Sequence, residues 1–267
     1  MPPYRFIFSD IDGTLLNSDR KLSQETIDVC SCLYKEKNIR FALASGRGLA
    51  GIRPIAEALG TPVFMLPCNG AEIYDENLNL INRITMDYED ADRIKKAVRD
   101  FNPDIETIVY AGQDWIADEM NDVVKIECTV MPTKPLLGDF KTVVPKETPV
   151  LKVISIGSAE NTTALEKHLK PLFPQYDFYK SQNYILEATA KNANKAGGMA
   201  FLCDYCGIDI SQTIAFGDGH NDVTMLRSAG LGIAMGNAGD DIKAHAKRTT
   251  LSNNENGVAQ ALKEIFY

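Results

Sequence analysis

Asp10 and Asp12 stand one residue apart directly after the apolar run Phe6-Ile7-Phe8-Ser9, and Gly13 and Thr14 follow. Two carboxylates this close repel each other unless a cation lies between them, and oxygen-only ligation at this density suits Mg²⁺. With Mg²⁺ bound, one ionised aspartate can attack an electrophilic phosphorus, while a second moves a proton to the leaving group and then from water. Gly13 lets the backbone turn tightly behind them. Taken alone, Asp and Gly are also ordinary turn residues after a strand. The rest of the chain has to decide between the two.

Three further apolar runs end in polar residues. Residues 39–44 lead into Ser45-Gly46-Arg47, residues 63–66 into Pro67-Cys68-Asn69-Gly70, and residues 213–216 into Gly217-Asp218-Gly219-His220-Asn221-Asp222. A small hydroxyl and a glycine where a strand hands over to a helix make an anion-binding corner, with free N–H groups and the helix dipole aimed at the ligand. Ser45 by itself also reads as a plain helix N-cap. Continuous apolar strands belong to a parallel sheet covered on both faces, where ligands collect beyond the strands' C-terminal ends. The four ends carrying Asp10, Ser45, Asn69 and Asp218 therefore share one edge. Lys195 opens a helix that runs to Cys206, and Asp222 falls in the first turn after the fourth strand.

The elements that must position these residues follow from period and caps. A helix is expected over 22–37 with Ser23 as its cap, a second over 49–59, and a strand over 71–74 returning from the Asn-Gly turn. From about residue 84 to 188 the texture changes. Asp87 caps a helix to Phe101, and strands are expected at 106–111, 115–118, 151–157, 176–180 and 184–187, with a helix over 161–173. Pro132, Pro135, Pro145 and Pro149 mark loops between them. No carboxylate cluster follows any of these strands, and the earlier pattern then resumes, with a fifth strand over 231–235. The expected fold is α/β, a doubly wound parallel-sheet (Rossmann-like) core made of 1–83 and 189–267, with 84–188 inserted as an α+β cap domain.

A length of 267 residues with 45% hydrophobic composition is ample for a sizeable core. The net charge of −8 argues against nucleic acid or an anionic membrane as the main partner, so an anionic substrate would need local cations. With no apolar run of membrane-spanning length and no basic-then-apolar leader pattern, a soluble cytoplasmic protein is expected. The six cysteines are scattered through apolar segments, as reduced thiols used as small hydrophobes would be. Cys203 and Cys206 have redox or zinc spacing, but no second pair is suitably placed. His168 and His245 fall on expected helices as surface groups.

At this point the motifs resemble the haloacid dehalogenase-like phosphohydrolases, in the Cof-type branch with a large α/β (type II) cap. Asp10-Ile11-Asp12-Gly13-Thr14 resembles the first motif, Ser45-Gly46-Arg47 the second, Lys195 the third, and Gly217-Asp218-Gly219-His220-Asn221-Asp222 with Met225 the fourth. Asn69-Gly70-Ala71, Ala234-Met235-Gly236-Asn237-Ala238 and Asn256-Gly257-Val258-Ala259 resemble further signatures of the branch. The resemblance implies Asp10 as nucleophile and Mg²⁺ ligand, and Asp12 as general acid/base that also offers its carbonyl to Mg²⁺. Asp218 would be a further ligand, with Asp222 a ligand through water or a support. It implies binding of phosphate or substrate by Ser45, Gly46, Arg47, Asn69, Lys195 and Asn221. The implied partner is a small phosphorylated metabolite, hydrolysed as a phosphate monoester by a monomer or small homo-oligomer. Ala196 departs from the glycine usual after the lysine. Trp115, Tyr110 and Tyr184 are candidates to line the pocket, with buried core aromatics as the default. A phosphomutase on the same aspartate, a non-catalytic phosphosugar sensor and a structural or interaction protein are the other classes; the last two have no need of the intact cluster.

Overall fold

Phe6–Ser9 (β1) is buried along its whole length, with Phe6 and Phe8 in one hydrophobic cluster and Ile7 in another. That alternation is the period-2 signature of a strand covered on both faces. The computed structural model describes residues 4–131 and 133–267, so the loop expected at Pro132 lies outside them. The chain continues through Arg40–Ala44 (β2), Phe64–Leu66 (β3), Glu72–Tyr74 (β4) and Leu80–Arg83 (β5). It then forms Glu106–Ala111 (β6), Asp114–Ala117 (β7), Leu136–Leu137 (β8), Val150–Ile156 (β9), Tyr176–Gln182 (β10) and Ile185–Ala190 (β11). Thr213–Gly217 (β12), Leu231–Ala234 (β13) and Arg248–Thr249 (β14) complete the strands among the described residues.

These strands make two sheets among the described residues. One has the order β14-β13-β12-β1-β2-β3-β4-β5, parallel from β14 to β3 and antiparallel at β4 and β5. Helices Gln24–Lys37 (α1) and Leu49–Leu59 (α2) lead away from β1 and β2. Val29, Leu33, Ile52 and Leu59 on these helices join Ile7, Leu43 and Phe216 in the core of one face. The opposite face holds Phe6, Phe8, Ala42 and Ala215. Between 84 and 190 lie helices Tyr88–Phe101 (α3), Asp122–Val130 (α4), Phe140–Val143 (α5) and Ala159–Leu172 (α6), followed by Lys195–Cys206 (α7). Met199 and Leu202 of α7 cover the second face of the parallel sheet, together with Met225 and Leu226 of Val223–Ser228 (α8). Asp240–Lys243 (α9) and Gly257–Phe266 (α10) end the chain, the latter packing Val258 and Leu262 against the first face. The α/β class with a doubly wound parallel sheet is what the structure shows.

The other sheet runs β10-β11-β9-β6-β7-β8, antiparallel except where β7 meets β8. Ile94 and Val98 of α3 and Leu165 and Leu169 of α6 share a core with Val153 and Leu186 of this sheet.

The expected caps Ser23 and Asp87 are in place, and Asn121 adds one that was not expected. Ser23 accepts from the Thr26 N–H at the start of α1, Asp87 from the Asp90 N–H, and Asn121 from the Val124 N–H. The Asn121 cap starts α4, which has no counterpart among the expected elements, since five of its nine residues are β-branched and lower its helix propensity. β11 runs to Ala190, three residues beyond the expected strand end. His245 lies in the turn after α9 rather than on a helix. Tyr184 is 47% exposed, whereas Trp115 is fully buried with its indole N–H donated to the Thr133 carbonyl. All six cysteines are free, and burial pushes the Cys203 thiol up to about 12. No helix among the described residues is long and apolar enough to cross a membrane.

Candidate active site

β1 stops at Ser9, and the next N–H, of Asp10, reaches the Phe216 carbonyl on β12 at 3.0 Å. That bond holds Asp10 at the sheet's C-terminal edge, beside the residues that leave β12. The turn behind it depends on Gly13, whose φ of +78° favours glycine and whose missing Cβ would lie 2.3 Å from Asp218 Oδ2. The Thr14 hydroxyl donates to Asp218 Oδ1 at 2.7 Å, and Asn237, just past β13, donates to the Gly13 carbonyl at 2.8 Å. The ends of β1, β12 and β13 thus hold Asp10 and Asp218 in place together.

Asp222 closes the loop after β12. Its Oδ2 accepts from the Asp218 and Gly219 N–H groups at 3.0 and 2.9 Å, and its Oδ1 accepts from Lys195. Asn194 caps α7 by accepting from the Gly197 N–H, which points the first helical residue, Lys195, into the sheet edge. The helix begins at Lys195 with Ala196 in place. Lys195 is fully buried, and its Nζ lies 2.5 Å from both Asp10 Oδ1 and Asp222 Oδ1.

Oxygens of Asp10, Asp218 and Asp222 all lie within 4.8 Å of one another. Burial drives the Asp10 carboxyl well above the usual carboxylate range; Lys195 opposes the shift, and Asp222 and Asp218 add to it. Asp218 is pushed up to about 6, again chiefly by burial, with the Thr14 hydrogen bond opposing and the Asp222 charge adding. Burial alone would lower Lys195, but the Asp10 and Asp222 carboxylates hold it above its ordinary value. Three carboxylates face one ammonium, so the cluster lacks positive charge. All the donors are hard oxygens, the set a divalent cation such as Mg²⁺ takes.

The corner after β2 lies beside this cluster. Ser45 is buried, and its hydroxyl accepts from the Arg47 N–H at 3.2 Å, while α2 starts only at Leu49, after Gly48. Ser45 is therefore not the helix N-cap. The Gly46 N–H has no protein acceptor among the described residues. Arg47 does not point into the corner: its Nε and Nη2 grip the Asp12 carboxylate at 2.7 and 2.5 Å. Asn69 donates from Nδ2 to the Tyr179 hydroxyl at 2.9 Å and to Glu187 Oε2 at 3.3 Å, and accepts from Asn221 Nδ2 at 3.1 Å.

The structure thus brings Asp10, Lys195, Asp218 and Asp222 into direct contact or close approach. It sets Ser45, Gly46, Asn69 and Asn221 along one flank, and places Arg47 on Asp12. Of four further neighbours, Asn237 is part of a motif the sequence displays, whereas Lys152, Glu187 and Tyr179 went unnoticed there. Asn237 obeys the same rule as Asn69, a polar residue just beyond an apolar strand. Lys152 and Glu187 are lone charges within the apolar strands β9 and β11, where a solvated reading fails because both are almost fully buried. Tyr179, on β10, carried no such signal.

A family model described as haloacid dehalogenase-like hydrolase matches residues 7–262. A Haemophilus influenzae protein named "Putative phosphatase" is 35% identical over 98% of each chain. A Bacillus subtilis 5-amino-6-(5-phospho-D-ribitylamino)uracil phosphatase is 27% identical over 97% of this chain and 94% of its own. The crystal structure of a haloacid dehalogenase-like hydrolase from Bacteroides thetaiotaomicron superposes with a TM-score of 0.87 at 31% identity, covering 98% of this chain and 100% of that one. The resemblance drawn from the motifs holds at the level of the family: the chain belongs to the haloacid dehalogenase-like hydrolases.

Proposed function

We propose that this protein is a Mg²⁺-dependent phosphatase that hydrolyses small phosphate monoesters through a phosphoryl group carried on Asp10. The observation that carries the reading is the Lys195 ammonium buried between Asp10 and Asp222, with Asp218 alongside and the Gly46 N–H open on the flank. Such an arrangement binds a phosphoryl group and compensates its charge, which is most of what phosphoryl transfer asks of a protein. The named phosphatase relatives support the class of reaction.

In this reading Asp10 Oδ attacks phosphorus, and the leaving oxygen takes its proton from Asp12. Asp12 then removes a proton from water as it attacks the phosphorylated Asp10. Lys195 opposes the effect of burial on Asp10 and faces the transferring oxygens, Ser45 and the Gly46 N–H hold the phosphoryl group, and Asn221 helps through Asn69. Asp222 fixes the loop that presents Asp218. Asp10, Asp218 and the Asp12 carbonyl would hold Mg²⁺, with Asp222 behind them, and the ion would supply the positive charge that lets a phosphate dianion approach the carboxylates. Residues 84–188 act as a cap over this edge, a role supported by Lys152, Tyr179 and Glu187, whose partners include Gly46 and Asn69.

Phosphate release from sugar phosphates, nucleotides, pyridoxal phosphate and flavin mononucleotide with Mg²⁺ tests this. Native protein should release phosphate from at least one of them and Asp10→Asn from none. Equal release by both would contradict it.

A further inference from the structure

β13 ends at Ala234, and the Met235 N–H still reaches the Gly217 carbonyl of β12 at 3.0 Å, which brings residue 237 beside the turn after β1. Asn237 Nδ2 donates to the Gly13 carbonyl at 2.8 Å and, at 3.4 Å, to Asp218 Oδ2. Its Oδ1 accepts from the Asn253 N–H at 3.0 Å. The carboxamide can stand only one way round, because exchanging its oxygen and nitrogen would set an oxygen against two acceptors and a donor against a donor. A single side chain therefore ties together the 10–14 turn, the loop after β12 and the segment before α10.

The tie is backed from its far side. Asn253 is buried, and its Nδ2 donates to the Leu16 carbonyl at 2.9 Å, while the Leu16 N–H returns to the Ile11 carbonyl at 2.9 Å. The approach of this segment depends on Gly236, where a Cβ would lie 2.7 Å from the Ser252 nitrogen. Both oxygens of Asp218 are then oriented by neutral donors: the Thr14 hydroxyl holds Oδ1 at 2.7 Å, and Asn237 faces Oδ2. Gly13, whose carbonyl Asn237 holds, directly follows Asp12, whose own carbonyl would meet the cation. Neither Thr14 nor Asn237 brings charge, so they direct the ligand oxygens and leave the compensation of charge to a cation.

From this geometry we infer that Asn237 is a positioning residue for the divalent cation: held by the Asn253 N–H, it sets the turn that carries the Asp12 carbonyl, and the Asp218 carboxylate, in the attitude that binds Mg²⁺. The inference rests on the metal site of the phosphatase reading and deepens it. Asn237 touches neither the cation nor the phosphoryl group in this role; it acts through the oxygens it orients. Partners that orient metal ligands typically contribute about 10- to 100-fold to metal affinity. The Asn237 side chain is exposed, so shortening it opens no cavity in the core.

Calorimetric titration of the native protein and two variants with Mg²⁺ alone tests this. Asn237→Ala should raise the Mg²⁺ dissociation constant about 10- to 100-fold. Asn254→Ala is the matched variant: Asn254 is also exposed and ties the same segment to Ser18 through two hydrogen bonds of 2.9 Å, but it bonds to neither Gly13 nor Asp218. It should change the constant by less than about twofold, since it orients no ligand. Without metal, both variants should melt within about 4 °C of the native protein. With p-nitrophenyl phosphate, the Mg²⁺ concentration for half-activation of Asn237→Ala should rise by the same factor as the dissociation constant, while kcat at saturating Mg²⁺ stays within about threefold of native. Native-like Mg²⁺ affinity in folded Asn237→Ala would overturn the inference, as would an equal loss in Asn254→Ala, which marks general loosening of the loop. A loss of kcat that saturating Mg²⁺ does not restore, or an Asn237→Ala protein that fails to fold, would overturn it too, the residue then being more than or other than a support for the metal. A native protein that binds Mg²⁺ but cleaves no phosphate monoester would remove the phosphatase reading while the titration still decides this inference; one that binds no Mg²⁺ would overturn both.

Discussion

Arg47 holds Asp12 with two hydrogen bonds, Nε to Oδ2 at 2.7 Å and Nη2 to Oδ1 at 2.5 Å, and its Nη1 donates to the Gly51 carbonyl at 3.3 Å. The forked contact orients the Asp12 carboxylate from the side of α2, so Arg47 acts on the proposed proton carrier. Arg47→Met should lower kcat/KM for alkyl phosphates, whose leaving oxygen needs a proton, by about 10- to 100-fold. The loss for p-nitrophenyl phosphate should be much smaller. Equal losses on both would place Arg47 on the phosphoryl group instead.

Lys195 compensates charge for the buried carboxylates of Asp10 and Asp222, with the half-buried Asp218 alongside. Lys195→Met keeps the length but leaves Asp10 and Asp222 without their shared cation, and breaking a buried pair in this way costs about 3–5 kcal/mol. Urea unfolding should show that loss, alongside loss of turnover. A variant as stable as the native protein would mean the carboxylates are neutral in the absence of the ammonium.

Divalent cation binding has a readout apart from catalysis. Mg²⁺ at about 100 times its dissociation constant should raise the apparent stability by about 2.7 kcal/mol. Asp218→Asn should lose most of that gain, because it removes one of the three carboxylates that face one another. Equal stabilisation of native and variant by Mg²⁺ would contradict the assignment, as would full turnover in excess chelator.

Away from the site, Asp90 ties α3 to the segment before and at the start of β10. The Gln175 amide beside it, then the Tyr176 hydroxyl and Arg93, hold its carboxyl below the ordinary value against the opposing effect of burial. A carboxyl depressed in the folded state contributes stability above its unfolded pKa of about 3.9, and that contribution fades as pH falls through the lower folded value. Asp90→Asn should therefore melt about 2–4 °C below the native protein at neutral pH, with the gap closing in the acid range below the unfolded pKa. A gap that widens on acidification would contradict the bonding described.

The convergence of Asp10, Ser45, Asn69 and Asp218 was legible because buried parallel strands read as unbroken apolar runs, and topology forces their ends together. Lys195 was legible only through its motif, since nothing in Asn194-Lys195-Ala196 tells a buried lysine from a solvated one. The bond from Arg47 to Asp12 was not legible: it depends on how the 45–48 turn directs a long side chain, which spacing does not determine. Lys152 and Glu187 lie on strands whose packing partners are distant in sequence, so their contacts with Gly46 and Asn69 belong to tertiary structure alone. The helix α4 was not legible because β-branched Val123, Val124, Ile126, Thr129 and Val130 argue against a helix, so the Asn121 cap alone did not mark it.

The central claim is that Asp10 carries the phosphoryl group and Asp12 moves the proton. Asp12→Asn slows both halves of the reaction, but p-nitrophenyl phosphate has a leaving group that needs little acid help, so the first half should outrun the second. Rapid quenching of this variant with p-nitrophenyl phosphate and Mg²⁺, followed by peptide mass spectrometry, should find one phosphoryl group on the peptide containing Asp10. The doubly substituted Asp10→Asn/Asp12→Asn protein should give none. A phosphoryl group on any other residue, or turnover by the variant with Asp10 never modified, would contradict the account.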